Sequence, residues 1–298
     1  MTEREIHTSY ILPLVIVVVI IWLLVRWFKN RKLTKVKSNS FFQLYGTKKF
    51  QLIADRFHSI EDVSEAIRAA GLESSNIIFG VDFTKSNEWQ GRKTFEGRCL
   101  HDVSIGGLNP YQQVIRILGS AIEKFDDDNI IPCFGFGDVT SRDVSVFPFR
   151  EEGYCRGFHD ALSAYTQLAK RVKMSGPTSF APLIYKAIDI IQQTKSYHIL
   201  VIIADGQMTS EAPTRKAIID ASNWPLSIIL IGVGDGPWEE MENYDDRLPQ
   251  RKFDNFQFVN YNKLRSQGEY SDAAFALNAL MEIPDQYKAI RELGLLNF

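Results

Sequence analysis

The chain predicts an α/β fold: a doubly wound, mostly parallel sheet with helices on both faces. Three observations lead there. Near-continuous Val/Ile/Leu runs recur at 76–82, 197–205 and 226–234. Segments with apolar residues at helical spacing lie between them. Strands buried on both faces read as unbroken apolar runs, and intervening helices supply the crossovers that parallel strands require. Finally, hard oxygen side chains stand where two of these runs stop, the place where such sheets bind ligands.

Taken in order, residues 1–9 form a short leader of mixed charge. Residues 10–28, YILPLVIVVVIIWLLVRWF, hold Arg26 as their single charge. As a helix this stretch spans ~28 Å, close to the thickness of bilayer hydrocarbon. Tyr10, Trp22 and Trp27 suit the interfaces, Arg26 can snorkel, and Pro13 near the helix start is tolerated. A cleaved leader would want a basic start and a small-residue cleavage site, and neither is present. The segment therefore reads as an uncleaved transmembrane anchor. Residues 29–44 form a basic linker, suited to staying cytosolic and to touching anionic lipid headgroups. The expectation is a single-pass membrane protein with residues 45–298 facing the cytosol, in a membrane the sequence does not name.

The body opens with a capping box at Ser59 and Asp62, starting a helix that ends near Gly71. NIIFGVD (76–82) is a buried strand and 109–125 a helix. NIIPCFGF (129–136) is a second strand, followed by helices at 157–172 and 179–194. YHILVIIAD (197–205) is a strand, 213–222 a helix, LSIILIGVG (226–234) a strand and NFQFVN (255–260) the last strand. Beyond 264 the tail reads as one or two helices interrupted at Pro284.

Apolar residues make up 45% of the 298 and charged residues 23%, ordinary values for a chain with a full core. The net charge of −2 hides an asymmetry. Residues 1–40 carry seven Lys/Arg against two acids, which leaves 27 basic and 34 acidic residues in the rest. An acidic body argues against nucleic acid as a partner. Cys99, Cys133 and Cys155 form no CxxC pair and predict neither a disulfide framework nor a zinc finger.

Five residues carry the functional reading. Asp82 closes a strand, and Thr84 and Ser86 alternate with it along the next loop. Thr178 follows Gly176-Pro177, and Asp205 closes another strand just before Gly206. Two carboxylates and three hydroxyls suit a small hard dication, Mg²⁺ or Mn²⁺ before Ca²⁺, held with a coordination position open. Taken singly, each of the five also fits a helix cap or turn residue.

This pattern resembles the metal-ion-dependent adhesion site of von Willebrand factor type A domains: Asp-x-Ser-x-Ser, then Thr, then Asp-Gly. Here it reads Asp82-Phe-Thr84-Lys-Ser86, Thr178 and Asp205-Gly206, with Thr84 preserving the hydroxyl of the first Ser. The runs VDFTKSN, LHDVSIGGLNPYQQVI, IPCFGFGD, GPTSFAP, IIADGQ, LSIILIGVGDGPWEEM and MEIPDQYKAIREL resemble the copine variant of that domain across about 45–295. The wording is most similar to plant-type ubiquitin ligases that join a copine domain to a RING finger. A RING needs about eight Cys/His ligands, and no cysteine follows Cys155. The tandem lipid-binding domains of true copines do not precede the match either.

The resemblance implies a non-enzymatic, metal-dependent adaptor whose protein partner supplies an acidic side chain to the metal. The alternative it implies is an accessory, non-catalytic role in ubiquitin ligation. Other motifs carry less. IGVGDGPW (231–238) lacks GxGxxG spacing and reads as a tight turn. Cys155 and His159 read as a packed thiol and a surface imidazole. His101 suits either a groove lining or a loop support, Trp89 and Trp238 either groove or packing, and Asp126–Asp128 a solvated turn.

Overall fold

The computed structural model describes residues 65, 68, 69, 76–104, 106–123, 128–206, 208–248, 250–266 and 271–297. The expected membrane segment 10–28, the linker 29–44 and the capping box at Ser59 and Asp62 lie outside these residues. Among the described residues no helix is long and apolar enough to cross a membrane.

Strand β1 (Asn76–Asp82) leads through a 3₁₀ turn (Lys85–Glu88) to helix α1 (Pro110–Ile122). Asn109 caps α1 through a reciprocal box with Gln112, and Pro110 occupies the first turn, where no N–H is needed. The single strand expected over 129–136 is in fact two, β2 (Ile130–Ile131) and β3 (Cys133–Phe136). Pro132 separates them because it has no N–H to continue a ladder. Two short strands were not expected: β4 (Phe147–Pro148) and β5 (Cys155–Arg156). At two residues each, they lack the length that a pattern of alternation needs to show.

Helices α2 (Gly157–Ala169) and α3 (Ala181–Thr194) precede β6 (His198–Ala204), all close to their expected bounds. Helix α4 (Glu211–Ala221) starts earlier than expected because Pro213 is tolerated in a first turn. Strand β7 (Leu226–Gly232) is followed by α5 (Glu239–Arg247), which was also not expected. Its acids suit a helix N-terminus, and Met241 and Tyr244 are its buried stripe, with Leu248 buried just past its end. The chain then runs through β8 (Phe256–Asn260), α6 (Tyr261–Ser266), α7 (Asp272–Leu280) and α8 (Ile283–Glu292), with Pro284 in the first turn of α8.

The main sheet has the order β4-β3-β1-β6-β7-β8, parallel throughout except for antiparallel β4. Its core strands are buried along their whole length, which accounts for their unbroken apolar runs. Alternate residues serve opposite faces. Ile78, Leu200, Ile228 and Phe256 pack with α3, α4 and α5 on one face. On the other, Phe79 meets Phe158 of α2 edge-on. β2 and β5 form a separate antiparallel pair.

Candidate metal centre

From β1 the chain crosses to β3 on one side, and later enters β6 on the other. The crevice between β1 and β6 is thus the switch point of the sheet, where open α/β folds place ligands. Val81 pairs with Ile203, so Asp82 and Asp205 leave neighbouring strands at the same end. The other three predicted residues come to the same place.

Asp82 Oδ1 accepts the Thr84 N–H at 2.7 Å, a tight Asx turn. The following 3₁₀ turn sets Ser86 Oγ 2.8 Å from Thr84 Oγ1. Lys85 N–H donates to Ser175 O at 2.6 Å, and Thr84 bridges to Ser175, which draws in the loop bearing Thr178. Thr178 Oγ1 then lies 3.4 Å from Thr84 Oγ1. That loop is fixed from behind by Thr209 and Ser210, whose N–H groups donate to Thr178 O. Asp82, Thr84, Thr178 and Asp205 are buried and Ser86 is half-buried.

Two glycines allow this closeness. Gly137 has φ +82°, and a Cβ there would sit 2.3 Å from Thr84 Cγ2. At Gly234 a Cβ would stand 1.8 Å from Asp205 O, so only glycine lets the loop after β7 press against the Asp205 backbone. That loop is tied to the 90–94 segment: Lys93 N–H and Thr94 N–H donate to the Asp235 carboxylate at 2.9 and 3.0 Å. Gln90 Nε2 donates to Gly236 O at 2.8 Å. The stretch 231–238 is the tight turn expected of it.

The electrostatics single out one feature. Asp82 Oδ2 and Asp205 Oδ2 are both buried with no hydrogen-bond partner. Burial, and then the charge of Asp205, push the Asp82 carboxyl well above its ordinary range. Burial pushes Asp205 up to about 6, against the hydrogen bonds it receives. Two like charges with unpaired oxygens in a low-dielectric crevice are costly. A dication relieves both penalties, and three adjacent hydroxyls complete a hard-oxygen donor set that fits Mg²⁺, Mn²⁺ or Ca²⁺.

Behind Asp82 lies a network that the sequence did not reveal. His101 stacks between Phe83 and Tyr111, with ring centroids 4.5 and 4.2 Å away. Its Nε2 donates to Asp82 O at 2.8 Å, so Nδ1 is the acceptor for Tyr165 OH, also at 2.8 Å. Burial lowers the His101 pKa to about 3 and keeps the ring neutral. Asn109 Nδ2 donates to Tyr165 OH, and Tyr111 OH donates to Asn87 Oδ1. Asn87 Nδ2 donates to Asp82 O and Thr84 O. Of the two roles that His101 suited in sequence, the structure shows loop support. Asn87, Asn109, Tyr111 and Tyr165 were missed because each looks like a cap or core residue in sequence.

The remaining candidates stay apart. Cys155 is buried and His159 exposed. Trp238 packs on Phe258, while Trp89 is exposed. Asp126 and Asp127 lie outside the described residues. Among the described residues no group of three or more His, Cys, Asp or Glu is placed to hold a metal.

Sheet order and rim together define an open α/β domain with a buried carboxylate pair at its switch point. The chain belongs to the copine family: residues 99–297 match its model, described as "Copine". Thr178 and Asp205 fall within that match, and Asp82, Thr84 and Ser86 precede it. E3 ubiquitin-protein ligase RGLG4 of Arabidopsis thaliana is 50% identical over 266 residues, covering 84% of this chain and 66% of that protein. Copine family protein 2 of Caenorhabditis elegans is 53% identical over 244 residues, 80% of this chain but 3% of that protein. The chain thus spans less than two thirds of either relative's length. Among solved structures, manganese-loaded Plasmodium vivax TRAP protein aligns at TM-score 0.41 and 15% identity, covering 64% of this chain and 70% of that one. At that distance it carries no argument about the site.

Proposed function

We propose that this chain is a membrane-anchored, divalent-cation-dependent protein-binding module. One observation carries the reading: the paired, buried and donor-less Oδ2 atoms of Asp82 and Asp205. Asp82, Thr84, Ser86, Thr178 and Asp205 would hold Mg²⁺ or Mn²⁺, with Ca²⁺ as the alternative, directly or through water. The bound ion would take an acidic side chain of a partner protein at its open coordination position, because a hard dication prefers an anionic oxygen to water there. The chain's own contribution is positioning. The His101–Tyr165–Asn109 network fixes the backbone of Asp82, and the Thr84 N–H fixes one of its oxygens. Residues 10–28 would anchor the domain with its body in the cytosol, and the basic 29–44 linker would touch anionic lipid.

Calorimetric titration of the full chain with Mn²⁺ tests this. Wild type is expected to bind one ion per chain, with Asp82→Ala and Asp205→Ala each losing that binding while keeping a cooperative melt. Unchanged Mn²⁺ binding in both variants would defeat the proposal. A second reading is favoured by similarity to a protein named as an E3 ubiquitin ligase: this chain would serve as a non-catalytic, recruiting component of ubiquitin ligation. Ubiquitin transfer by the purified chain with only the activating and conjugating enzymes added would overturn the non-catalytic part.

A further inference from the structure

Away from the rim, α3, the segment 143–148 and β2 enclose a groove of about 850 Å³. It gathers apolar side chains that the fold leaves in water. Val144 is 81% exposed, Ile130 40% and Tyr185 38%, and all three line this groove. Single exposed apolar residues are unremarkable, but a contiguous set marks an interaction surface. The groove also has a distinct charge. Asp143, Glu152 and Asp189 line it, and none of them makes an ion pair among the described residues. Lys186 is the single lining base, and its Nζ lies 5.8 Å from the centroid of the Phe134 ring.

We propose that this groove binds an amphipathic segment of a partner protein that sets Leu, Ile or Phe side chains beside Lys or Arg. Charge complementarity selects that occupant: three unpaired carboxylates around an apolar floor repel acidic segments and orient basic ones. Strand addition is a poor mode here. Edge strand β4 is only two residues long and one of them is Pro148, which has no N–H to offer. Docking is therefore by side chains into the groove. Ser179 and Ser210 line one end, immediately beside Thr178 and the Thr209 that fixes it. None of the five rim residues lines the groove, so its ligand binds without a cation.

The test uses the full chain in EDTA against a positional-scanning library of 10-residue peptides. Selected sequences are expected to combine Leu, Ile or Phe with Lys or Arg. The best of them, fluorescein-labelled, is then titrated against Val144→Lys and Asp189→Lys, both at exposed positions. Each is expected to weaken binding at least ~10-fold, with hydrogen exchange slowed by peptide at 143–148 and 181–193 in wild type. An acidic or uncharged consensus, wild-type affinity in both variants, protection confined elsewhere, or binding that needs Mn²⁺ would overturn the proposal. So would a self-associating chain whose dimer is lost in Val144→Lys, since the occupant would then be a second copy. A Mn²⁺ requirement aside, these outcomes leave the metal reading untouched, since it stands or falls on Mn²⁺ titration.

Discussion

Asp82 stands between two regions that treat buried polar atoms in opposite ways. Behind it, His101, Tyr165, Asn109, Tyr111 and Asn87 pass hydrogen bonds from one to the next, and none of their side-chain polar atoms is orphaned. In front of it, the Oδ2 atoms of Asp82 and Asp205 are buried without a hydrogen-bond partner. The other orphaned side-chain atoms among the described residues, on Tyr244, Asn255, Gln257 and Gln286, are all neutral. A neutral buried group left unpaired costs about 1–3 kcal/mol, and a charged one costs more. Two charged oxygens orphaned on neighbouring strands are therefore the costliest exceptions among the described residues, and that contrast is what marks the front of Asp82 as the candidate site.

The contrast breaks most visibly at its back wall. Replacing His101 with alanine deletes a ring stacked on two neighbours and leaves Asp82 O and Tyr165 OH each short of a partner. The expected loss is ~3–5 kcal/mol of stability, read from chemical denaturation. Folded His101 stays neutral down to about pH 3, whereas an unfolded imidazole takes up a proton near 6.5. Wild type alone is therefore penalised as pH falls through that value, and the loss is expected to be ~1 kcal/mol smaller at pH 6 than at pH 8. A loss below ~1 kcal/mol would mean that the network is not what holds Asp82.

How much of this was legible in advance follows the same division. The runs 76–82 and 226–234 announced themselves as strands because burial on both faces forbids polar interruption. The five rim residues were legible because chemistry constrains their type and order as well as their packing. Strands β4 and β5 were invisible because two residues show no period, and Pro132 split a run whose apolar content looked continuous. Helix α5 hid behind its acids: Met241 and Tyr244 give too narrow a stripe to stand out among them. The back-wall network was illegible for a different reason. Asn109 and Tyr111 sit in an ordinary helix start, and only the fold brings Tyr165 to His101 across 64 positions of sequence.

Glu282 sharpens the comparison, because it is a perturbed carboxyl outside the rim. Burial, and then the charges of Asp245 and Asp254, push its pKa up to about 8, while a hydrogen bond from Gln286 and the charge of Arg251 oppose the rise. The folded chain keeps this proton to about pH 8, whereas an unfolded glutamate releases it near the ordinary value of 4.5. Stability is therefore full below that lower value and falls as pH rises toward 8. Glu282→Gln is expected to remove this slope and to stabilise the chain by ~2–4 kcal/mol at pH 8, with little effect at pH 4.5. Denaturation across that range checks it, and a parallel pH profile in variant and wild type would refute the assignment. Unlike the rim carboxylates, both oxygens of Glu282 escape the orphaned set, so a raised pKa alone does not mark a site.

The smallest expected effect bears most directly on the contrast. Asp205→Asn keeps the shape of the side chain, removes one of two facing charges, and gives Asp82 Oδ2 an amide N–H within reach. If the front of Asp82 is strained for lack of a counter-charge, the metal-free variant melts higher than wild type, by ~1–2 kcal/mol at the midpoint. For a domain of this size that is roughly 2–8 °C. Adding Mn²⁺ at ~100 times its Kd is expected to stabilise wild type by ~2.7 kcal/mol and the variant not at all. The two chains thus exchange rank when the ion is added. A variant less stable than wild type without metal would place Asp205 with the scaffold, as a carboxylate whose charge the fold already satisfies.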